Sequence, residues 1–230
     1  MDFNINVAGL MKAATEQMMA PPDNFPSGKI QPFILRAYGS LLATSTLTTI
    51  QLTKNDTASA LAGSNLLGKT DALFCVAGRQ SVIKVTTGDV AGQCVHYTYP
   101  EDLVFDFTGE FKSIIGVFFN SLLTLTPNSA TPVFRSLQTS FFGHVPTTQH
   151  LATQFQGSSN ENGPHSEFKP FYNTFYLSGD ATNQLDLVIP NVTGVGGDTS
   201  AELNYYCFEI LGILLKDQAK NVIEKGLVVC

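Results

Sequence analysis

The stretch LNYYCFEILGILLK, residues 203–216, decides how the chain is read. It fits two patterns. Tyr205, Phe208 and Leu211–Leu215 partly follow the three- and four-residue steps of a helix. Its Tyr, Cys, Phe and Ile residues favour a strand, because aromatic and β-branched side chains pack well on a pleated surface. We read it as a strand.

The same residue types recur upstream. FILRAY (33–38), LTTIQL (47–52), ALFCVA (72–77) and SVIKVT (81–86) are short β-like runs, separated by turn clusters such as KNDTAS and TTGD. CVHYTY (94–99), LVFDFT (103–108), SIIGVFF (113–119), LLTLT (122–126) and SLQTSFFGHV (136–145) continue the series. FYNTFYL (171–177) and QLDLVIP (184–190) follow. NVIEKGLVVC (221–230) reads as a turn and a last short strand. About a dozen short strands without helical crossovers predict a mainly β fold, an antiparallel β-sandwich or jelly-roll-like domain. Residues 156–169 are the most polar stretch and read as a long surface loop, with a second loop over 191–200.

The beginning of the chain differs. Val7, Leu10, Met11, Ala14 and Met18 form one apolar stripe, which predicts a helix over 5–20. Pro21 and Pro22 end it, since proline bars the preceding residue from helix. Pro26 and Pro32 keep the continuation extended. The expected organisation is therefore a helix and proline-rich arm over 1–32, then the β-domain over 33–230. The arm would contact a neighbouring subunit through Leu10, Met11, Met18, Met19 and Phe25. The alternative is a helix packed on its own domain.

Composition narrows the function. Only 14% of the 230 residues are charged, against roughly 25% in an ordinary soluble domain. Serine and threonine together number 39, so neutral hydroxyls stand in for charges. The formal net charge is −6. The 17 phenylalanines exclude a disordered chain, and the acidic balance argues against holding nucleic acid on a basic face. A surface this poor in charge is better covered than bare, which suggests an assembly component. No basic, apolar leader opens the chain, and no apolar run approaches the ~20 residues of a membrane span. Cys75, Cys94 and Cys207 lie in apolar runs and read as buried free thiols, with a Cys75–Cys94 bridge left open. Together with Cys230 they lack the paired spacing of a zinc site.

No ordered catalytic constellation emerges. His96, His144, His150 and His165 have no metal-binding spacing. Cys94 and His96 would share a strand face, but inside a strand rather than at an exposed turn. Glu101, Asp102, Asp106 and Glu110 could include a glycosidase pair, though carboxylates around a strand normally form a solvated face. The glycines of 194–200 lack the lysine of a phosphate loop. Asp180, Asp186 and Asp198 could supply oxygen ligands to Ca²⁺ at a subunit seam, without matching any loop motif. FYNTFYL, aromatic and rich in hydroxyl and amide groups, could line a glycan site or simply pack in a sheet. The chain is accordingly expected not to be an enzyme and to need no cofactor or metal.

Three elements resemble the virion structural proteins of viruses, especially bacteriophages, of β-sandwich or jelly-roll type. They are the Met-rich helix and tether over Val7–Pro32, the string of Thr/Ser-rich strands, and FKSIIGVFFNSLLTLT at 111–126. The resemblance implies a jelly-roll-like subunit of a symmetric homo-oligomer, capsid or capsid-associated, whose function resides in contacts. Its partners would be copies of itself and other virion proteins, without direct nucleic-acid binding, and it would assemble in the host cytoplasm into the virion. The alternative is a receptor- or glycan-binding β-module, spike-like or lectin-like, with its site in the 156–169 and 191–200 loops.

Overall fold

The computed structural model describes residues 9, 12–13, 29–40, 47–54, 64–86, 96–97, 121–128, 131–142, 168–188 and 202–224. Within them the chain is mainly β. The strands are β1 (Ile30–Ser40), β2 (Leu47–Gln51), β3 (Ala72–Thr86), β4 (His96–Tyr97), β5 (Leu122–Thr126), β6 (Phe134–Gln138), β7 (Lys169–Ser178), β8 (Gln184–Val188) and β9 (Glu202–Leu215). A 3-10 turn spans Thr139–Phe142, and a short α-helix spans Ala219–Glu224.

The strands form two antiparallel sheets. The larger runs β1-β9-β3, and the far side of β3 is shared by β7 along Ala72–Gly78 and β4 at Val82–Ile83. The smaller runs β2-β8-β5-β6. The 203–216 stretch is thus a strand, and β9 is the hub of the large sheet. It pairs with β1 from Tyr205 to Leu215 and with β3 along its whole length. Every residue from Tyr206 to Leu215 is buried. A strand covered on both faces needs no polar alternation, which is why its apolar steps also mimic a helix.

Alternation explains the core. Tyr206, Phe208, Ile210 and Leu214 of β9 share one face with Leu35 and Ala37 of β1, Leu73 and Cys75 of β3, and Phe175 and Leu177 of β7. Opposite them stand Ile50 of β2, Leu123 and Leu125 of β5, and Leu185 and Leu187 of β8, all in the same buried cluster. Truncating one of these leucines to alanine costs about 2–5 kcal/mol. The other face of the large sheet holds a second cluster of Phe74, Tyr176, Ile213 and Leu215, covered by Val222 of the helix and by Ala13 and Ile30.

Two polar fastenings join the sheets. Asn65 exchanges backbone hydrogen bonds with Arg36 of β1, and Leu67 does the same with Leu52 and Lys54 just after β2. At one corner Asn128 donates Nδ2 to the Tyr176 carbonyl and accepts from the Ser178 amide, at 2.9 and 2.7 Å. Its own amide donates to Asn183 Oδ1, and Asn183 donates Nδ2 to the Ser178 carbonyl.

Three expectations need correction. ALFCVA and SVIKVT are one 15-residue strand, because Arg79 and Gln80 between them find distant partners inside the fold. Past Gln138 the strand gives way to the 3-10 turn. Residues 221–224 are helical rather than a turn, and Val222 is the side chain they bury. The runs at 103–108 and 113–119 and the loops at 156–167 and 191–200 lie outside the described residues. Of the expected helix, Gly9, Lys12 and Ala13 are described and are helical.

Candidate functional site

Strand β7 leaves its ladder for four residues. Cys75 pairs with Phe175, and Ala77 pairs with Pro170, so Phe171 to Thr174 stand opposite the single residue Val76. Such a bulge re-aims side chains. Gly78 makes room for it: a Cβ there would lie 3.0 Å from the rings of both Phe171 and Phe208. Phe171 is half-buried, while Tyr172, Asn173 and Thr174 are exposed.

The opposite wall comes from β6 and the 3-10 turn. The Thr139 amide donates to the Ser121 carbonyl at 2.8 Å, and Gln80 donates Nε2 to the Thr139 carbonyl. These bonds hold Phe142, fully buried, edge-on to Phe208 at 5.2 Å between centroids. Phe141 then stacks with Tyr172 at 5.6 Å and an interplanar angle of 30°. Phe134 stacks with Phe171 at 6.4 Å. Between the walls lies a pocket of about 110 Å³, bounded by Phe134, Phe141, Phe142, Phe171, Tyr172 and Phe175 with Val133, Leu137 and Asn173, none of these described residues being charged.

The large sheet's other notable group is ionic. Glu209 of β9 is fully buried and lies in register with Arg36 of β1 and Arg79 of β3. Arg36 Nε donates to Glu209 Oε1 at 2.7 Å, and Arg79 Nε to Oε2 at 2.6 Å, each with a second contact from its NH2 group. Arg79 also lies over the Phe168 ring at 4.9 Å. Burial alone would push the Glu209 carboxyl up, but Arg79 and Arg36 outweigh it and hold the carboxyl below the usual range. Both oxygens are engaged, so the triad clasps three strands rather than offering an acid or base. Sequence reading missed it. The available signal was one acid in an apolar strand, with one arginine in each of two other strands.

Few of the sequence candidates fall among the described residues. Cys75 and Cys207 are free, buried thiols, as read. His96 lies in β4, while Cys94, His144, His150, His165, Glu101, Asp102, Asp106, Glu110 and Asp198 lie outside the described residues. Asp186 sits on the outer face of the small sheet, accepting from Thr49 Oγ1 at 2.7 Å and from Gln184. Asp180 is exposed in a turn. Among the described residues no three His, Cys, Asp or Glu side chains gather as metal ligands, and no helix is long and apolar enough to cross a membrane. The arm residues Leu10, Met11, Met18, Met19 and Phe25 lie outside the described residues. Ala13, beside them in sequence, packs half-buried on its own chain's large sheet. FYNTFYL divides: Phe175, Tyr176 and Leu177 are core, and Tyr172, Asn173 and Thr174 face outward.

No protein-family model and no curated protein matches this chain.

Proposed function

We propose that the chain is a non-enzymatic structural subunit of a virus particle, capsid or capsid-associated, acting by assembly with copies of itself and other virion proteins. The observation that carries this is the strand order. Leaving aside the two-residue β4, the sheets run β1-β9-β3-β7 and β2-β8-β5-β6. The chain changes sheet at every step between these eight strands except β5 to β6. We read this alternation as the winding of a jelly roll, an architecture used by viral shells and by lectins. A fold hosts more than one function, so the surface has to support the choice.

The outer face of the small sheet does so. Leu47, Val188 and Leu122 stand in register across three strands, with Leu47 51% exposed and Val188 38%. Behind them come Thr49, Asp186 and Thr124, then Gln51, Gln184 and Thr126. Over β2, β8 and β5, with exposed Arg135 on the neighbouring β6, one carboxylate in nine residues lets a neighbour cover this part of the face with little ion desolvation. Two-sided burial of β9 supplies the rigid block behind it. The arm adds a tethered second contact. Its contacts would come from Leu10, Met11, Met18, Met19 and Phe25. Assembly would take place in the host cytoplasm.

Electron microscopy of the purified chain tests this. Rings or closed shells are expected, and a field of single-domain particles would contradict it.

A further inference from the structure

The protrusion of β7 carries a feature that assembly through the small sheet does not use. Tyr172 is 86% exposed, whereas large aromatic side chains are normally well covered. The ring is held rather than loose, stacked at 5.6 Å on Phe141. The next two residues, Asn173 and Thr174, are exposed as well. One short protrusion therefore presents an aromatic face, an amide and a hydroxyl. Among the described residues, the lining of the adjoining pocket of about 110 Å³ carries no charge.

This set selects its ligand by chemistry. The face of an aromatic ring is electron-rich and attracts the polarised C–H groups of a ring lying flat on it. An amide both donates and accepts, which suits neighbouring hydroxyls. The described lining residues include no cation to hold a phosphate, sulfate or carboxylate. An apolar peptide side chain would fill the pocket but leave the exposed ring and the amide idle. A neutral sugar ring, with a C–H face and a rim of hydroxyls, uses all three groups. We propose that Tyr172, Asn173 and Thr174, with the pocket beside Phe141, form a binding site for a neutral saccharide. All the named residues belong to one chain, and the site does not depend on the particle reading.

The test uses the full chain on an array of hexose- and N-acetylhexosamine-terminated neutral oligosaccharides beside sialylated ones. Calorimetry then follows the strongest neutral ligand. Neutral glycans should be retained. Tyr172→Ala should weaken the calorimetric affinity at least about tenfold, as for a central aromatic contact. Tyr172→Phe, which keeps the ring, should stay within about threefold. Asn173→Ala should also weaken binding. All three positions are exposed, so the melting temperature should not move, and a loss of binding with an unchanged melt supports the site. Retention of no neutral glycan, retention of sialylated glycans alone, or wild-type affinity in Tyr172→Ala would overturn it.

Discussion

Arg79 and Glu209 face each other across the β3–β9 ladder, and the arginine grips a carboxylate that has no exposed surface. Arg36 holds the other oxygen from β1. Removing the acid leaves two guanidinium groups side by side with no counter-charge. Breaking a buried pair in this way costs about 3–5 kcal/mol. Glu209→Gln should therefore lower the unfolding free energy by that amount, read in urea as a lower midpoint with the slope unchanged.

The same triad sets a pH dependence. The Glu209 carboxyl is held below its ordinary value of 4.5 in the folded chain. Its stabilising contribution is complete above that value and is lost as pH falls through it toward the lower folded pKa. Melting curves from neutral pH down to about pH 3 should show this. The wild type should lose more stability below 4.5 than Glu209→Gln does. Parallel curves would remove Glu209 from the acid response.

Gly212 on β9 lies where the β3 backbone comes closest. A Cβ there would stand 2.2 Å from the Phe74 carbonyl oxygen, which is ladder backbone and cannot swing away. Gly179 is as tightly placed, 1.8 Å from the Gly68 carbonyl oxygen. Gly212→Ala should cost more than about 3 kcal/mol, beyond ordinary overpacking. Thermal unfolding reads this directly.

Asn128 sits in left-handed backbone at φ 51°, and its side chain ties β7 of the large sheet to the end of β5 in the small one. Asn128→Ala loses both side-chain bonds and keeps the strained backbone, at about 2–4 kcal/mol. Asn128→Gly relieves the backbone and should fall between the two. A glycine variant less stable than the alanine variant would contradict this assignment.

Burial pushes the Cys75 and Cys207 thiols up, Cys75 being wholly enclosed. The thiolate is the reactive form. In a chain carrying Cys94→Ser and Cys230→Ser, thiol reagents at pH 8 should label nothing until denaturant is added.

Much of the fold is legible in the sequence, and the failures have physical causes. β9 reads as a strand from its Tyr, Cys, Phe and Ile residues. Its place at the centre does not, because two-sided burial comes from ladders to β1 and β3, which are remote in sequence. The false break in β3 arose at Arg79 and Gln80. Polar residues look like a turn until Glu209 and Thr139 are seen to satisfy them. The aromatic character of FYNTFYL was plain. Its division into core and protrusion was not, since that depends on the space left by Gly78 and on the 3-10 turn after β6. The low charge of the chain is visible on the outer face of β2, β8 and β5, where Asp186 is the one charged residue among nine.

Native mass reads assembly itself. Sedimentation velocity of the full chain at micromolar concentration should show a discrete species of several subunits. Charging the small sheet's outer face, with Leu47→Lys and Val188→Lys together, should return it to monomer without lowering the melting temperature. A single boundary at the monomer mass for the wild-type chain would contradict the account.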